Sequence, residues 1–165
     1  MTTKTINGTS GNDTISIADN GADFNVDLNT VVSGPFADDT IIVNGGFGND
    51  IVDLSALTSA SGVISVTVSG GGGDDALTGS TLADTFLVHG TGEGLDTYNG
   101  GDGTDAIKAQ VAGTNIGLKG SFFAANAIEE ISANGFGNVN VFGDDTGSTL
   151  DFSSTTLDNV VVDGR

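Results

Sequence analysis

The most constraining feature of this sequence is a nine-residue pattern, G-G-x-G-x-D-x-U-x, in which U is a large aliphatic residue. Complete copies occupy residues 45–53, 70–78 and 100–108. One copy is too short to bury its own apolar residues, so successive copies must stack to build a shared core. The repeat therefore predicts an all-β solenoid with a short strand in each copy and a glycine-rich turn between strands.

Four partial copies extend the same pattern along the chain. They keep the aspartate of position six and an apolar residue at position eight, and they occupy residues 8–16, 34–42, 79–87 and 91–99. Because side chains alternate along a strand, the residue at position eight should face the core and its neighbours should face outwards. The glycines should permit positive φ angles, which let the chain turn sharply between strands.

The spacing of the copies predicts which aspartates lie next to each other. If one copy makes half a coil, aspartates two copies apart share an edge of the solenoid. This pairs Asp75 with Asp96 and Asp84 with Asp105, and each pair is 21 residues apart. The corresponding intervals nearer the N-terminus are 25 to 26 residues. The coils there are longer, and the sequence leaves their pairing open.

Stacked aspartates favour a bound cation. Two carboxylates about 5 Å apart repel by about 3 kcal/mol at an effective dielectric constant of 20. A hard divalent cation with six to eight oxygen ligands suits aspartates and loop carbonyls, whereas Zn²⁺ would favour His or Cys. The chain has one His and no Cys. We therefore expect several Ca²⁺ ions per chain. The candidate ligands are the aspartates Asp13, Asp39, Asp50, Asp75, Asp84, Asp96 and Asp105, with the loop glycines Gly45, Gly48, Gly71, Gly73, Gly101 and Gly103.

A simpler interpretation treats each Gly-Asp pair as a turn and nothing more. It suits an isolated pair, but three complete copies with partial copies in phase favour calcium. The complete and partial copies resemble the repeats-in-toxin family of bacterial proteins, over roughly residues 8–108. The resemblance implies a right-handed parallel β-solenoid, a calcium β-roll grading into a β-helix, that folds on binding Ca²⁺ outside the cell. It also implies secretion, or display on the surface of a bacterium, by a route without an N-terminal signal peptide.

Two segments follow from the distribution of the motif. Residues 1–108 form the calcium-binding β-roll, and residues 109–165 form a calcium-poor β-helical continuation of the same solenoid. The second segment has no complete motif but keeps alternating aliphatic residues. We also expect a short helical turn near Phe122, with Ser121 as its N-cap.

The charge balance excludes several classes of function. There are 22 acidic and four basic residues, and the net charge is −18. Such a chain should bind neither nucleic acid nor an anionic membrane surface. It has no apolar run long enough to insert into a membrane. One His and scattered lysines supply no catalytic constellation, so we do not expect an enzyme.

The favoured function is therefore an extracellular structural module that folds on binding calcium. Head-to-tail stacking of copies into a filament or surface assembly is part of this hypothesis, because neither terminus shows an obvious cap. An adhesin or ice-binding module within a larger secreted protein is the alternative. Thr14, Thr40, Thr85 and Thr97 follow the motif aspartate in four copies, but the complete copies have Ile51, Ala76 and Ala106 there.

Overall fold

The computed structural model describes residues 3–19, 24–26, 39–58, 62–145 and 147–164, and these form a parallel β-solenoid. The predicted all-β class is confirmed. A single turn of 3₁₀ helix covers Ala124–Asn126. The strands are β1 (Thr3–Asn7), β2 (Thr14–Asp19), β3 (Phe24–Val26), β4 (Asp39–Phe47), β5 (Ile51–Ala56), β6 (Val63–Gly72), β7 (Ala76–Thr78), β8 (Asp84–Val88), β9 (Thr97–Asn99), β10 (Ala106–Ala109), β11 (Asn115–Leu118), β12 (Glu130–Ser132), β13 (Val139–Gly143), β14 (Thr156–Asp158) and β15 (Val160–Asp163).

The strands form three sheets along the solenoid. The longest has seven parallel strands in the order β1-β4-β6-β8-β10-β12-β14. A second sheet has the order β3-β2-β5-β7-β9, and a third has the order β11-β13-β15. An isolated bridge between Asp96 and Leu118 links the end of the second sheet to the start of the third. The longest sheet thus contains strands from both sides of residue 108.

The core consists of aliphatic columns that follow the position-eight residues. In the longest sheet, one column runs through Ile6, Val43, Val68, Phe86, Ile107, Ile131 and Leu157. The position-eight residue is buried in all seven copies: Ile15, Ile41, Val52, Leu77, Phe86, Tyr98 and Ile107. The predicted inward direction of position eight is therefore correct in complete and partial copies alike.

The two ends of the solenoid differ in how well the core is covered. Ile6, in the first strand of the longest sheet, is 8 % exposed. Leu157 and Val162, in the last strands, are 36 % and 42 % exposed. At the N-terminal end β3 pairs antiparallel with β2 and covers that edge. Among the described strands, β14 and β15 at the C-terminal end pair on one side only, and a cavity of about 320 Å³ opens beside Leu150 and Phe152.

The predicted helical turn is present, but its cap is different. The 3₁₀ turn is preceded by Phe123, whose backbone N–H donates to Asn126 Oδ1 at 3.0 Å. Ser121 Oγ instead accepts the Thr149 backbone N–H. Ser121 is too far ahead of the turn to cap it, because Phe122, which is a core residue, and Phe123 intervene.

None of the helical residues in the described ranges forms a helix long and apolar enough to cross a membrane.

Candidate functional site: two stacks of aspartate loops

The first loop stack is formed by residues 8–13, 45–50, 70–75 and 91–96, each of which precedes a strand of the second sheet. Their position-six aspartates form a ladder in which each backbone N–H donates to Oδ1 of the next aspartate. The donor–acceptor distances are 2.7 Å from Asp13 to Asp50, 2.8 Å from Asp50 to Asp75 and 2.9 Å from Asp75 to Asp96. The predicted pairing of Asp75 with Asp96 is confirmed, and Asp13 is shown to lie against Asp50, 37 residues away.

The second loop stack is formed by residues 79–84 and 100–105, with a shorter turn at residues 127–129. The Asp84 N–H donates to Asp105 Oδ1 at 2.7 Å, which confirms the second predicted pair. The Asp105 N–H then donates to Glu129 Oε2, also at 2.7 Å. The shorter turn leaves less chain to reach the ladder, and a glutamate, one methylene longer than aspartate, supplies the acceptor there.

A second ladder in the first loop stack runs in the opposite direction and uses position five. The Asn49 N–H donates to Asn12 Oδ1 at 2.8 Å, and the Asp74 N–H donates to Asn49 Oδ1 at 2.9 Å. The Leu95 N–H donates to Asp74 Oδ1 at 3.0 Å. The loops are therefore joined by side-chain acceptors at two adjacent positions, which fixes their backbones relative to one another.

The motif glycines serve two physical purposes. The glycines at positions two and four of the complete copies have positive φ angles, between +97° and +135°, as expected for the turn. They are Gly46, Gly48, Gly71, Gly73, Gly101 and Gly103. Position one requires glycine for a different reason, which is that there is no room for a side chain. A Cβ on Gly45 would lie 2.6 Å from Asp50 Oδ2 and would also collide with the Gly70 carbonyl oxygen.

In the part of the chain that the structure describes, three buried carboxylate oxygens have no hydrogen-bond donor. They are Oδ2 of Asp50, Asp75 and Asp105. These three residues are only 1 %, 2 % and 1 % exposed. A buried acceptor without a partner costs about 1–3 kcal/mol, and more if it is charged. The three aspartates are also the ones that belong to the complete copies of the motif.

The aspartates of the three partial copies whose loops are described have partners within their own loops or strands. Asp13 Oδ2 accepts hydrogen bonds from Thr9, and Asp84 accepts hydrogen bonds from Ser80. Asp96 Oδ2 accepts the Tyr98 hydroxyl at 2.9 Å. The complete copies therefore differ chemically from these three partial ones, although each of the aspartates contributes a backbone N–H or a carboxylate oxygen to a ladder.

Burial is the main cause of the raised pKa values in the two stacks. It raises the pKa of Asp75, Asp84 and Asp105 to about 6, and that of Asp96 to about 7. The backbone N–H bonds of the ladder oppose this rise. Repulsion from the neighbouring aspartate adds to it, but for Asp75 and Asp105 it is smaller than the effect of burial. The sequence predicts a cation because neighbouring carboxylates repel each other. In the structure, desolvation raises these pKa values more than that repulsion does.

The predicted site residues fall into two groups. Asp13, Asp50, Asp75 and Asp96 come together in the first loop stack. Asp84 and Asp105 come together in the second. The side chain of Asp39, and the loop of residues 34–38 before it, lie outside the described part of the chain. The sequence reasoning missed Glu129, Thr9 and Ser80, although Thr9 and Ser80 occupy the position where the motif requires its second glycine.

Other polar groups on the surface do not form a comparable site. Lys108 Nζ forms an ion pair with Glu130 Oε2 at 3.4 Å, and Lys119 Nζ forms one with Asp74 Oδ2 at 3.2 Å. The threonines expected of an ice-binding face do not form a continuous row, since Ile51 and Ala76 separate Thr14 from Thr97 in one outward column. No observation in the described strands favours that alternative.

Carboxylate groups do not converge on single points. In the ranges that the structure describes, no three acidic or histidine side chains are grouped as they are in a metal centre built from side chains alone. Any cation in these loops would therefore need main-chain carbonyl oxygens as well as one or two aspartates. Comparisons of the chain with family models, with curated proteins and with solved structures found no match.

Proposed function

We propose that this protein is a calcium-binding structural module whose complete loops are closed by the cation and whose folding depends on it. The observation that carries the proposal is the set of buried Oδ2 atoms without donors on Asp50, Asp75 and Asp105. A buried carboxylate oxygen needs either a donor, a proton or a cation. At neutral pH, a hard divalent cation satisfies this need without protonating the carboxylate.

The atoms around these oxygens are suitable ligands for calcium. Beside Gly45, Asp50 Oδ2 and the Gly70 carbonyl oxygen approach the same small space, which is open only because Gly45 has no side chain. Beside Gly100, Asp105 Oδ2 and the Ala127 carbonyl oxygen do the same. Oxygen donors of this kind suit Ca²⁺ better than Zn²⁺. The bound ion would supply positive charge against carboxylates that the fold has removed from water.

The net charge supports coupling between binding and folding. A chain with a charge of −18 and few aromatic residues resists compaction until some of its charge is neutralised. The ladders support a non-enzymatic role, because they hold the aspartates that could otherwise act as acids or bases. An extracellular location, where Ca²⁺ reaches millimolar concentration, agrees with this requirement and with the resemblance to the repeats-in-toxin family.

Self-association is a further part of the proposal, and it rests on the C-terminal end of the solenoid. Leu157 and Val162 are exposed there, and among the described strands β14 and β15 each pair on one side only, so their other edges can accept another chain. The N-terminal end offers less to such a partner, because Ile6 is already covered and β3 occupies the edge of β2. A second copy would therefore add to the longest sheet, between β14 of one molecule and β1 of the next.

A calcium titration tests the proposal. Isothermal calorimetry, far-ultraviolet circular dichroism and light scattering on the same metal-free sample should show at least three ions per chain, one for each donor-free Oδ2, and a gain of β-sheet signal. Mg²⁺ at the same concentration should be less effective, because it favours a smaller octahedral shell and retains its waters. A β-rich spectrum that chelator does not change, with no binding heat, would refute the function. A sharp monomer in millimolar Ca²⁺ would refute only self-association.

A further inference from the structure

The residue at position two differs between the three loops whose motif aspartate keeps a donor-free oxygen and two of the described loops whose aspartate does not. In the complete copies this residue is Gly46, Gly71 or Gly101, and the aspartate of the same loop has a buried oxygen without a donor. In two partial copies it is Thr9 or Ser80. In these two loops the aspartate has no such donor-free oxygen among the described buried atoms. In a further loop, 91–96, position two is Gly92, and Asp96 Oδ2 instead accepts the hydroxyl of Tyr98 at position eight.

The hydrogen bonds of Thr9 and Ser80 show how this is achieved. Asp13 Oδ2 accepts both the backbone N–H of Thr9 at 2.6 Å and its hydroxyl at 2.9 Å. Asp84 Oδ2 accepts both the backbone N–H of Ser80 at 2.5 Å and its hydroxyl at 3.0 Å. Ser80 and Asp84 are each only 1 % exposed, so these are buried contacts. Two donors from one residue thus occupy the oxygen that is left open in a complete copy.

The backbone explains why glycine at position two leaves that oxygen open. Gly46, Gly71 and Gly101 have φ angles of +121°, +97° and +100°. Among the described residues, the non-glycine residues with positive φ are Ala127, Asn134, Asn138 and Asn159, so Thr9 and Ser80 adopt a different turn. A side chain disfavours positive φ. The residue with a side chain therefore turns its own N–H and hydroxyl towards the aspartate, whereas glycine does not.

We propose that a hydroxyl residue at position two closes a loop in place of a cation, and that Thr9 and Ser80 do so in loops 8–13 and 79–84. This inference rests on the proposed calcium function. In the described part of the chain, loop 8–13 is the first loop of its stack and loop 79–84 is the first of the other. In each described stack, a loop that folds without calcium therefore presents its aspartate N–H to a calcium-dependent loop.

The variant Thr9→Gly tests this assignment by adding a site. It makes residues 8–13 read G-G-S-G-N-D, a complete copy of the motif. Without the Thr9 hydroxyl, the loop can adopt the turn of Gly46 and leave Asp13 Oδ2 next to the Gly45 carbonyl oxygen. Equilibrium dialysis with radioactive Ca²⁺ should find one more ion per chain than in the unmodified protein.

Ser10→Gly is the matched control. It introduces the same extra glycine one residue later, in the same exposed loop, and leaves the Thr9 hydroxyl in place, so its ion count should equal that of the unmodified protein. A folded Thr9→Gly protein with an unchanged ion count would overturn the inference and leave the calcium function intact. An unmodified protein that binds no Ca²⁺ would refute the proposed function, and the inference with it.

Hydrogen exchange on the unmodified protein provides a test that needs no variant to fold. At a subsaturating Ca²⁺ concentration at which the protein is still folded, amide protection should fall in loops 45–50, 70–75 and 100–105, while loops 8–13 and 79–84 keep theirs. Equal loss of protection in both kinds of loop would overturn the assignment of Thr9 and Ser80, even with calcium binding established.

Discussion

At the residue scale, the motif aspartates are buried, and burial destabilises their ionised form. Asp105 is almost fully buried, and burial raises its pKa to about 6. Its Oδ1 accepts the Asp84 N–H, but its Oδ2 has no donor. A raised pKa means that the ionised carboxylate weakens the fold above that pH unless a cation neutralises it.

The substitution Asp105→Asn should therefore have opposite effects with and without calcium. In metal-free protein at about pH 8 it removes a buried charge, and the free energy of unfolding should rise by about 1–3 kcal/mol. The asparagine can still accept the Asp84 N–H and can donate towards the Ala127 carbonyl oxygen. In saturating Ca²⁺ the same change removes a ligand, and stability should fall. Urea denaturation under both conditions measures the two effects.

Asp102→Asn is the matched control for this experiment. Asp102 belongs to the same loop and carries the same charge, but it is exposed. Its substitution should change stability by less than about 0.5 kcal/mol in either condition. If Asp105→Asn lowered the stability of the metal-free protein, the buried charge of Asp105 would not be destabilising, contrary to what the structure indicates.

At the element scale, stability comes from the aliphatic columns, and their last members contribute least. Ile131 in β12 is fully buried between Ile107 and Leu157. Leu157 in β14 has a neighbour on one side only and is 36 % exposed. Because truncating a side chain costs more free energy where other side chains surround it completely, the same chemical change should have different effects in the two strands.

Ile131→Ala and Leu157→Ala remove the same number of carbon atoms from one column. In calcium-saturated protein, the first should lower the free energy of unfolding by about 2–5 kcal/mol, as expected for a core position. The second should lower it by about 1 kcal/mol or less in the monomer. Thermal or urea unfolding compares them directly. Equal losses of stability would mean that the C-terminal end is covered, for example by a second copy.

Much of the element pattern could be predicted because the repeat fixes both the turn and the inward residue. The burial of Val52, Leu77 and Ile107 follows from their place two residues after the motif aspartate. The pairing of Asp75 with Asp96 follows from a regular spacing. Asp13 was harder to place, because its partner lies 37 residues away and the intervening chain is longer than one regular coil.

The parts that could not be predicted depend on contacts between coils that have no sequence signature. Glu129 joins the ladder after a shortened turn that contains no motif, so only the structure reveals it. The opposite ladder through Asn12, Asn49 and Asp74 uses a position that the motif leaves variable. Thr9 and Ser80 do carry a signal in the sequence, since a hydroxyl residue stands where the motif requires glycine.

At the scale of the whole molecule, buried carboxylates respond to pH, and at Asp75 and Asp105 protons compete with calcium. The pKa values of Asp75, Asp84 and Asp105 are raised to about 6 and that of Asp96 to about 7, from an ordinary value of 3.8. Between the ordinary and the raised values the folded state binds more protons than the unfolded state, so folding is favoured by acid there. The remaining surface charge adds a general repulsion that salt can screen.

The metal-free protein should therefore lose stability as the pH rises from about 5 to about 8, since its buried aspartates ionise over this range. Saturating Ca²⁺ should reduce this loss, because ionised Asp75 and Asp105 are then ligands, and acidification should instead release the ion. Melting temperatures at several pH values, with and without Ca²⁺, measure both trends. A series in high NaCl separates two contributions. Salt should screen the repulsion between surface charges, but it should leave the destabilisation by ionised buried aspartates largely unchanged. A metal-free protein that becomes more stable towards pH 8 would show that its carboxylates are solvated, and the physical basis of the calcium requirement would then be lost.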